Sequence, residues 1–84
     1  MNCILRKAAE NEKQVTYLFF PKNTGVPNEP GKLRIDKIKK AGRLLKKPKA
    51  DEGCEVSLYT GLAFAVAYRF MDEGNYPETG EGAW

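Results

Sequence analysis

The side chains that could do chemistry in this sequence are two cysteines, four tyrosines and many charged groups, and histidine is absent. Without an imidazole the chain cannot form a Ser-His-Asp or Cys-His relay, nor use the side chain that usually moves protons near neutral pH. The cysteines, Cys3 and Cys54, match no zinc-binding spacing. Neither GxGxxG nor GxxxxGK occurs. We therefore predict no enzymatic activity, no catalytic residue, no metal site and no cofactor.

The N-terminal residues indicate the compartment, and with it the state of the thiols. Residues 1–7 lack the apolar run and the small-residue cleavage site of a secretory signal peptide. Residues 62–68 form the longest apolar stretch, seven residues, whereas a bilayer-spanning helix needs about 20. We therefore expect a cytoplasmic protein with no membrane partner, whose cysteines are reduced and buried.

The charged residues are distributed unevenly along the chain. Residues 32–49 carry nine Lys or Arg and one acidic residue, whereas residues 50–84 carry one Arg and seven Asp or Glu. A dense basic segment attracts polyanions and makes their binding salt-dependent. Weak, non-specific nucleic-acid binding through residues 32–49 is therefore one functional hypothesis. Its candidate phosphate contacts are Lys37, Lys39, Lys40, Arg43, Lys46 and Lys47.

The alternative is that residues 32–49 form a solvated basic hairpin, partly neutralised by the acidic C-terminal third. Basic side chains on edge strands hinder aggregation, and this segment contains no aromatic residue on which a base could stack. The function that the sequence favours is therefore a non-enzymatic protein-interaction or accessory module, acting on an unknown protein partner or as a homodimer. Phe20 and Trp84 are its candidate contact residues, because interaction surfaces expose apolar side chains.

Two strands that form a hairpin are predicted near the N-terminus. Residues 14–20 are rich in β-branched and aromatic side chains and are apolar on both faces, which is typical of a central strand. Residues 3–8 precede them across a short polar turn. Residues 21–31 contain three prolines and two glycines, which predicts a loop.

Residues 32–49 fit two structures. Leu33 and Ile35 alternate with charged residues, which predicts a strand, followed by a turn at residues 39–42 and a fourth strand at residues 43–47. Alternatively, one apolar stripe at helical spacing predicts a helix through Ile35, Ile38, Ala41 and Leu45. We favour the two strands.

Residues 57–73 are predicted to form an α-helix. Its apolar ridge repeats every four residues, at Leu58, Leu62, Val66 and Phe70. Ser57 is the candidate N-cap and Gly74 the candidate left-handed stop. Residues 75–84, with one proline and two glycines, are expected to be an irregular tail.

Together these elements predict a single small α+β domain over residues 1–84. It consists of an antiparallel β-meander of three to four strands with one C-terminal α-helix packed on one face. We expect the core to contain Leu5, Val15, Tyr17, Phe19, Leu33, Ile35, Leu62, Val66 and Phe70.

Three stretches carry a resemblance to other proteins. They are Tyr-Leu-Phe-Phe-Pro at residues 17–21, the segment 59–73 that begins Tyr-Thr-Gly-Leu-Ala, and Gly-Asn-Tyr-Pro-Glu at residues 74–78 leading to Gly-Ala-Trp at residues 82–84. In these stretches the chain resembles small uncharacterised proteins of Gram-positive bacteria and their phages. The resemblance favours the strand-turn-strand structure of the middle segment, implies a cytosolic bacterial or prophage setting, and implies that Trp84 belongs to the fold. It brings no known activity, so it assigns no functional residue.

Overall fold

The structure, a computed structural model, describes residues 2–22, 29–53 and 57–83. These residues form a five-stranded antiparallel sheet and one C-terminal helix, an α+β fold with one strand more than the sequence predicts. The strands are β1 (Asn2–Glu10), β2 (Gln14–Lys22), β3 (Gly31–Asp36), β4 (Ala41–Lys46) and β5 (Thr79–Ala83), and helix α1 spans Leu58–Glu73. Their order across the sheet is β4-β3-β2-β1-β5, so the first four strands form a meander and β5 adds to its β1 side.

Strand β2 lies at the centre of the sheet, as its two-sided apolar pattern predicts. Val15, Tyr17 and Phe19 are fully buried, whereas Leu18 and Phe20 on the other side are half-buried. We call the face that carries Tyr17 the core face, because α1 packs on it. We call the opposite face, on which no described element packs, the open face. Successive strand residues alternate between the two.

The core lies between α1 and the core face, and all nine residues predicted to form it are buried. Cys3, Ala63, Ala67 and Met71 join them. The ring centroids of Tyr17 and Phe70 lie 5.4 Å apart, so an aromatic contact joins helix to sheet at the centre of the core.

The strand interpretation of residues 32–49 is confirmed, and the helical alternative is wrong. The turn begins at Lys37, two residues earlier than predicted. Asp36 fixes this position, because its Oδ1 accepts hydrogen bonds from the amides of Ile38 and Lys39, both at 3.0 Å. Ile38 breaks the strand alternation because it lies in this turn, where its side chain is exposed.

Helix α1 lies where the sequence predicts it, but a different residue caps its N-terminus. The Ser57 hydroxyl makes no capping hydrogen bond, so that prediction is wrong. The buried carboxylate of Asp51 takes this role: it accepts hydrogen bonds from the amides of Tyr59 (3.2 Å) and Thr60 (2.8 Å) and from the Thr60 hydroxyl (2.7 Å). Gly74 ends the helix in the left-handed conformation, with φ of 67°, as predicted.

The expectation of an irregular tail is wrong for Thr79–Ala83, which form β5 antiparallel to β1. Gly82 pairs with Cys3 and lies beneath α1. A Cβ atom at position 82 would lie 2.6 Å from Cγ2 of Val66. Glycine therefore lets the helix approach this edge strand closely.

Two residues of the sequence-based expectations lie outside the described part of the chain. These are Cys54, expected to be a buried thiol, and Trp84, expected to belong to the fold. Within the described ranges, α1 lacks the length and apolar character that a membrane crossing requires.

Candidate functional site

The alternation of side chains along the strands determines the composition of the open face. Among the described strand residues, this face carries six exposed Lys or Arg residues: Arg6, Lys22, Lys32, Arg34, Arg43 and Lys46. The acidic residues Asp36 and Glu81 lie on the same face. The open face is therefore strongly basic, although the whole chain has a formal net charge of only +3.

The basic residues of β3 and β4 lie opposite one another in two like-charge pairs. Arg34 faces Arg43, and Lys32 faces Lys46 across a register shift in the same ladder. Like charges directly opposite on neighbouring strands destabilise a sheet. None of the four forms a salt bridge within the described ranges; Arg34 makes a long hydrogen bond, 3.5 Å, from its Nε to the hydroxyl of Thr16. The sheet thus concentrates positive charge here, and no salt bridge with a described acidic side chain offsets it.

An apolar strip of Ile4, Leu18 and Phe20 lies beside these cations. Ile4 faces Phe20 across β1 and β2, and Leu18 lies two residues before Phe20 on the same face. All three side chains are half-buried. The Arg6 guanidinium lies 5.6 Å from the centroid of the Phe20 ring, a cation–π contact. A shallow depression lined by Ile4, Arg6, Phe20 and Lys22 brings apolar and basic groups into one concave surface.

The structure separates the predicted phosphate contacts into different places. Arg43 and Lys46 lie on the open face, whereas Lys39 and Lys40 lie in the turn between β3 and β4, and Lys47 follows β4; all five are exposed. Residues adjacent in sequence therefore do not form one surface. Of the two residues predicted for protein interaction, Phe20 belongs to the open face.

Lys37 is the predicted contact that is already paired within the protein. Its ammonium group contacts the carboxylate of Glu10, donates a hydrogen bond to the carbonyl of Asn11 at 2.9 Å, and lies 5.2 Å from the centroid of the Tyr76 ring. Hydrogen bonds from Lys37 and then Lys7 lower the pKa of Glu10 below its usual range. Lys37 thus fastens the β3–β4 turn to the end of β1.

Sequence reasoning missed the contribution of the other strands to this surface. Arg6 on β1 and Lys22 at the end of β2 lie far from residues 32–49 in sequence, and register alone brings them to the same face. The alternation of β2 was the available signal. If Tyr17 points into the core, Leu18 and Phe20 must point to the other side.

Two potential nucleophiles, Cys3 and Tyr17, lie in the core rather than on this face. Burial, and then the negative charge of Asp51, raises the pKa of the Cys3 thiol from 9.0 to about 12. The Tyr17 hydroxyl donates to the carbonyl of Pro77 at 2.6 Å, and burial raises its pKa as well. Both groups stay protonated at neutral pH, and a neutral thiol is a poor nucleophile and metal ligand. No cluster of three or more potential metal-ligating residues occurs among the described residues.

These features define a small α+β domain with one covered and one open sheet face. The open face combines an apolar strip with cations that form no salt bridge to a described residue. No family model, curated protein or solved structure matches the chain. A function for this chain must therefore be inferred from the chemistry of its own residues.

Proposed function

We propose that the protein is a non-enzymatic binding module that holds an anionic macromolecule on the open face of its sheet. The observation that carries this proposal is the pair of like-charge contacts between β3 and β4, Arg34 with Arg43 and Lys32 with Lys46. A bound anion would relieve their repulsion and make charge-assisted hydrogen bonds, which arginine can form in pairs with a phosphate or carboxylate.

The distribution of the cations favours an extended ligand over a small anion. The basic residues of the open face run from Arg6 on β1 to Arg43 on β4, four neighbouring strands. At about 4.8 Å between strands, this span is roughly 14 Å. A single phosphate or carboxylate contacts only one or two of these side chains, whereas a polyanion can engage all of them. The sequence suggested two functional hypotheses, an interaction module and a nucleic-acid binder. The proposal assigns both kinds of binding to the same surface, the open face.

The test is binding of fluorescently labelled polyanions, followed by fluorescence anisotropy at low salt. The panel contains mixed-sequence single-stranded DNA, the same sequence as a duplex, and polyglutamate. We compare wild type with the double variant Arg34→Gln, Arg43→Gln. The charge-matched control is Lys13→Gln, Arg69→Gln, because both of these residues are exposed and lie off the open face.

Wild type should bind at least one polyanion, and the Arg34, Arg43 variant should bind it at least tenfold more weakly while the control stays within about twofold. For single-stranded DNA, loss of two phosphate contacts should also reduce the slope of log affinity against log salt by about 1.4. Failure of every polyanion to bind would overturn the proposal. So would an equal loss of affinity in the double variant and its control.

A further inference from the structure

We infer that the ligand of the open face is a single-stranded nucleic acid, whose bases lie on the apolar strip while its phosphates contact the surrounding cations. This inference rests on the proposed function and specifies the class of polyanion. The observation that supports it is the placement of Ile4, Leu18 and Phe20 among the cations, rather than the positive charge itself.

The apolar strip favours a ligand that has apolar surface as well as charge. Ile4 and Phe20 face each other on neighbouring strands, and Leu18 extends the strip toward β3, where it pairs with Lys32. The strip therefore passes directly into the basic pairs of β3 and β4. A ligand that follows this direction must present flat apolar groups and regular negative charges side by side, as the bases and backbone of a nucleic acid do.

The shape of the surface favours a single strand over a duplex. In a duplex the bases are stacked inside, so a protein reaches them only by placing a helix or a ribbon into a groove. The open face consists of side chains on a sheet, with no described helix projecting from it. A duplex would contact the cations and leave the apolar strip unused, whereas a single strand can lay unstacked bases on Phe20.

The arginine next to the strip adds a second planar group for stacking. The Arg6 guanidinium lies over the Phe20 ring, with its carbon 5.6 Å from the ring centroid. Aromatic rings and guanidinium planes are the two side-chain surfaces on which unpaired bases stack. The aromatic residue that is missing from residues 32–49 is thus supplied by β2. An acidic polypeptide could pair its carboxylates with the cations, but it has no repeated planar group that could stack on Arg6 and Phe20.

The experiment uses the same full-length chain and the same labelled single strand, duplex and polyglutamate, with a single-stranded RNA added. The test variants are Phe20→Ala and Phe20→Leu; the second keeps an apolar side chain of similar size, so it preserves the fold if alanine does not. The matched control is Tyr68→Ala, an aromatic residue on α1 that is 51% exposed on the other side of the molecule. Circular dichroism checks that each variant is folded.

Wild type should bind single strands at least tenfold more tightly than the duplex or polyglutamate. Both Phe20 variants should lose roughly 5- to 160-fold in single-strand affinity, the range for removal of a base–aromatic stack, and Tyr68→Ala should change it by less than twofold. Equal binding of single strand and duplex, with no effect of Phe20→Leu, would overturn the inference while the proposed function stands. If wild type bound polyglutamate more tightly than the single strands, the inference would be overturned, and an acidic protein would be the ligand class instead. Absence of all binding would overturn both proposals.

Discussion

Arg34 on β3 and Arg43 on β4 lie directly opposite each other on the open face, and neither forms a salt bridge with a described residue. Both side chains are exposed and the core lies on the other face, so neither arginine contributes to core packing. A surface that places like charges together gives up some stability. Under the proposed function, such a surface should attract anions more strongly than an evenly mixed one.

This pair predicts opposite effects of one substitution on stability and on binding. Arg43→Gln should raise the free energy of unfolding by about 0.2–1 kcal/mol, because it removes a repulsive cross-strand pair, and it should weaken polyanion binding. Urea denaturation at low salt measures the first effect. Lys13→Gln, which removes an exposed charge in the β1–β2 turn, should leave stability within about 0.5 kcal/mol. A clear loss of stability in Arg43→Gln would show that Arg43 has a structural role instead.

The buried carboxylate of Asp51 should be important for the stability of α1. It is 1% exposed and accepts three hydrogen bonds, two from amides of the first helical turn and one from the Thr60 hydroxyl. Asp51→Ala should therefore lower the free energy of unfolding by about 1–3 kcal/mol, the cost of leaving buried donors unpaired. The neighbouring exposed carboxylate offers the control: Glu52→Ala should cost less than about 1 kcal/mol. Equal effects of the two substitutions in urea denaturation would contradict this capping role.

The burial of the Cys3 thiol should make the free energy of unfolding fall in alkaline solution. Burial raises its pKa from 9.0 to about 12, so the unfolded chain releases the thiol proton at lower pH than the folded protein does. The contribution of Cys3 is complete below pH 9 and is lost as the pH rises toward 12, on the order of 4 kcal/mol in total. In a Cys54→Ala background, Cys3→Ala should flatten the fall in unfolding free energy over this range. Parallel pH profiles for the two proteins would contradict the prediction.

The glycines of β5 are predicted to be required for the edge strand to lie under the helix. A Cβ atom on Gly82 would lie 2.6 Å from Cγ2 of Val66, and one on Gly80 would lie 2.4 Å from Cζ of Phe70. Gly82→Ala should therefore cost about 1–3 kcal/mol through overpacking. Thr79→Ala, on the open-face side of the same strand, should cost less than about 1 kcal/mol. Hydrogen exchange of the β5 amides should rise in the Gly82 variant alone; unchanged exchange and stability would argue against this packing.

Much of the fold follows from periodicity in the sequence. The two-sided apolar pattern of β2 and the four-residue repeat of α1 identify the core, because burial of those side chains dominates the stability of both elements. Strand β5 could not be found in this way. Its sequence, Thr-Gly-Glu-Gly-Ala, has little intrinsic preference for a strand, and it is extended because β1 offers a free edge and Val66 and Phe70 need small residues beneath them.

The candidate site was harder to predict from the sequence than the fold. The density of basic residues in segment 32–49 is a property of the chain, whereas a binding surface is a property of the sheet. Pairing in the sheet separates Lys37, which contacts Glu10, from Arg43, which faces Arg34. It also brings Arg6 next to Phe20. These neighbours depend on the register between strands, which the composition of any one segment does not specify.

The most direct test of the open face as the binding site is an NMR titration of the isotope-labelled protein with an unlabelled single-stranded oligonucleotide. The backbone amide signals of Ile4, Leu18, Phe20, Arg34 and Arg43 should shift progressively, while those of α1 change little. Shifts concentrated on α1, or on the exposed Tyr68 and its neighbour Phe64, would contradict the placement of the site. A spectrum that stays unchanged at low salt and high oligonucleotide concentration would contradict binding itself.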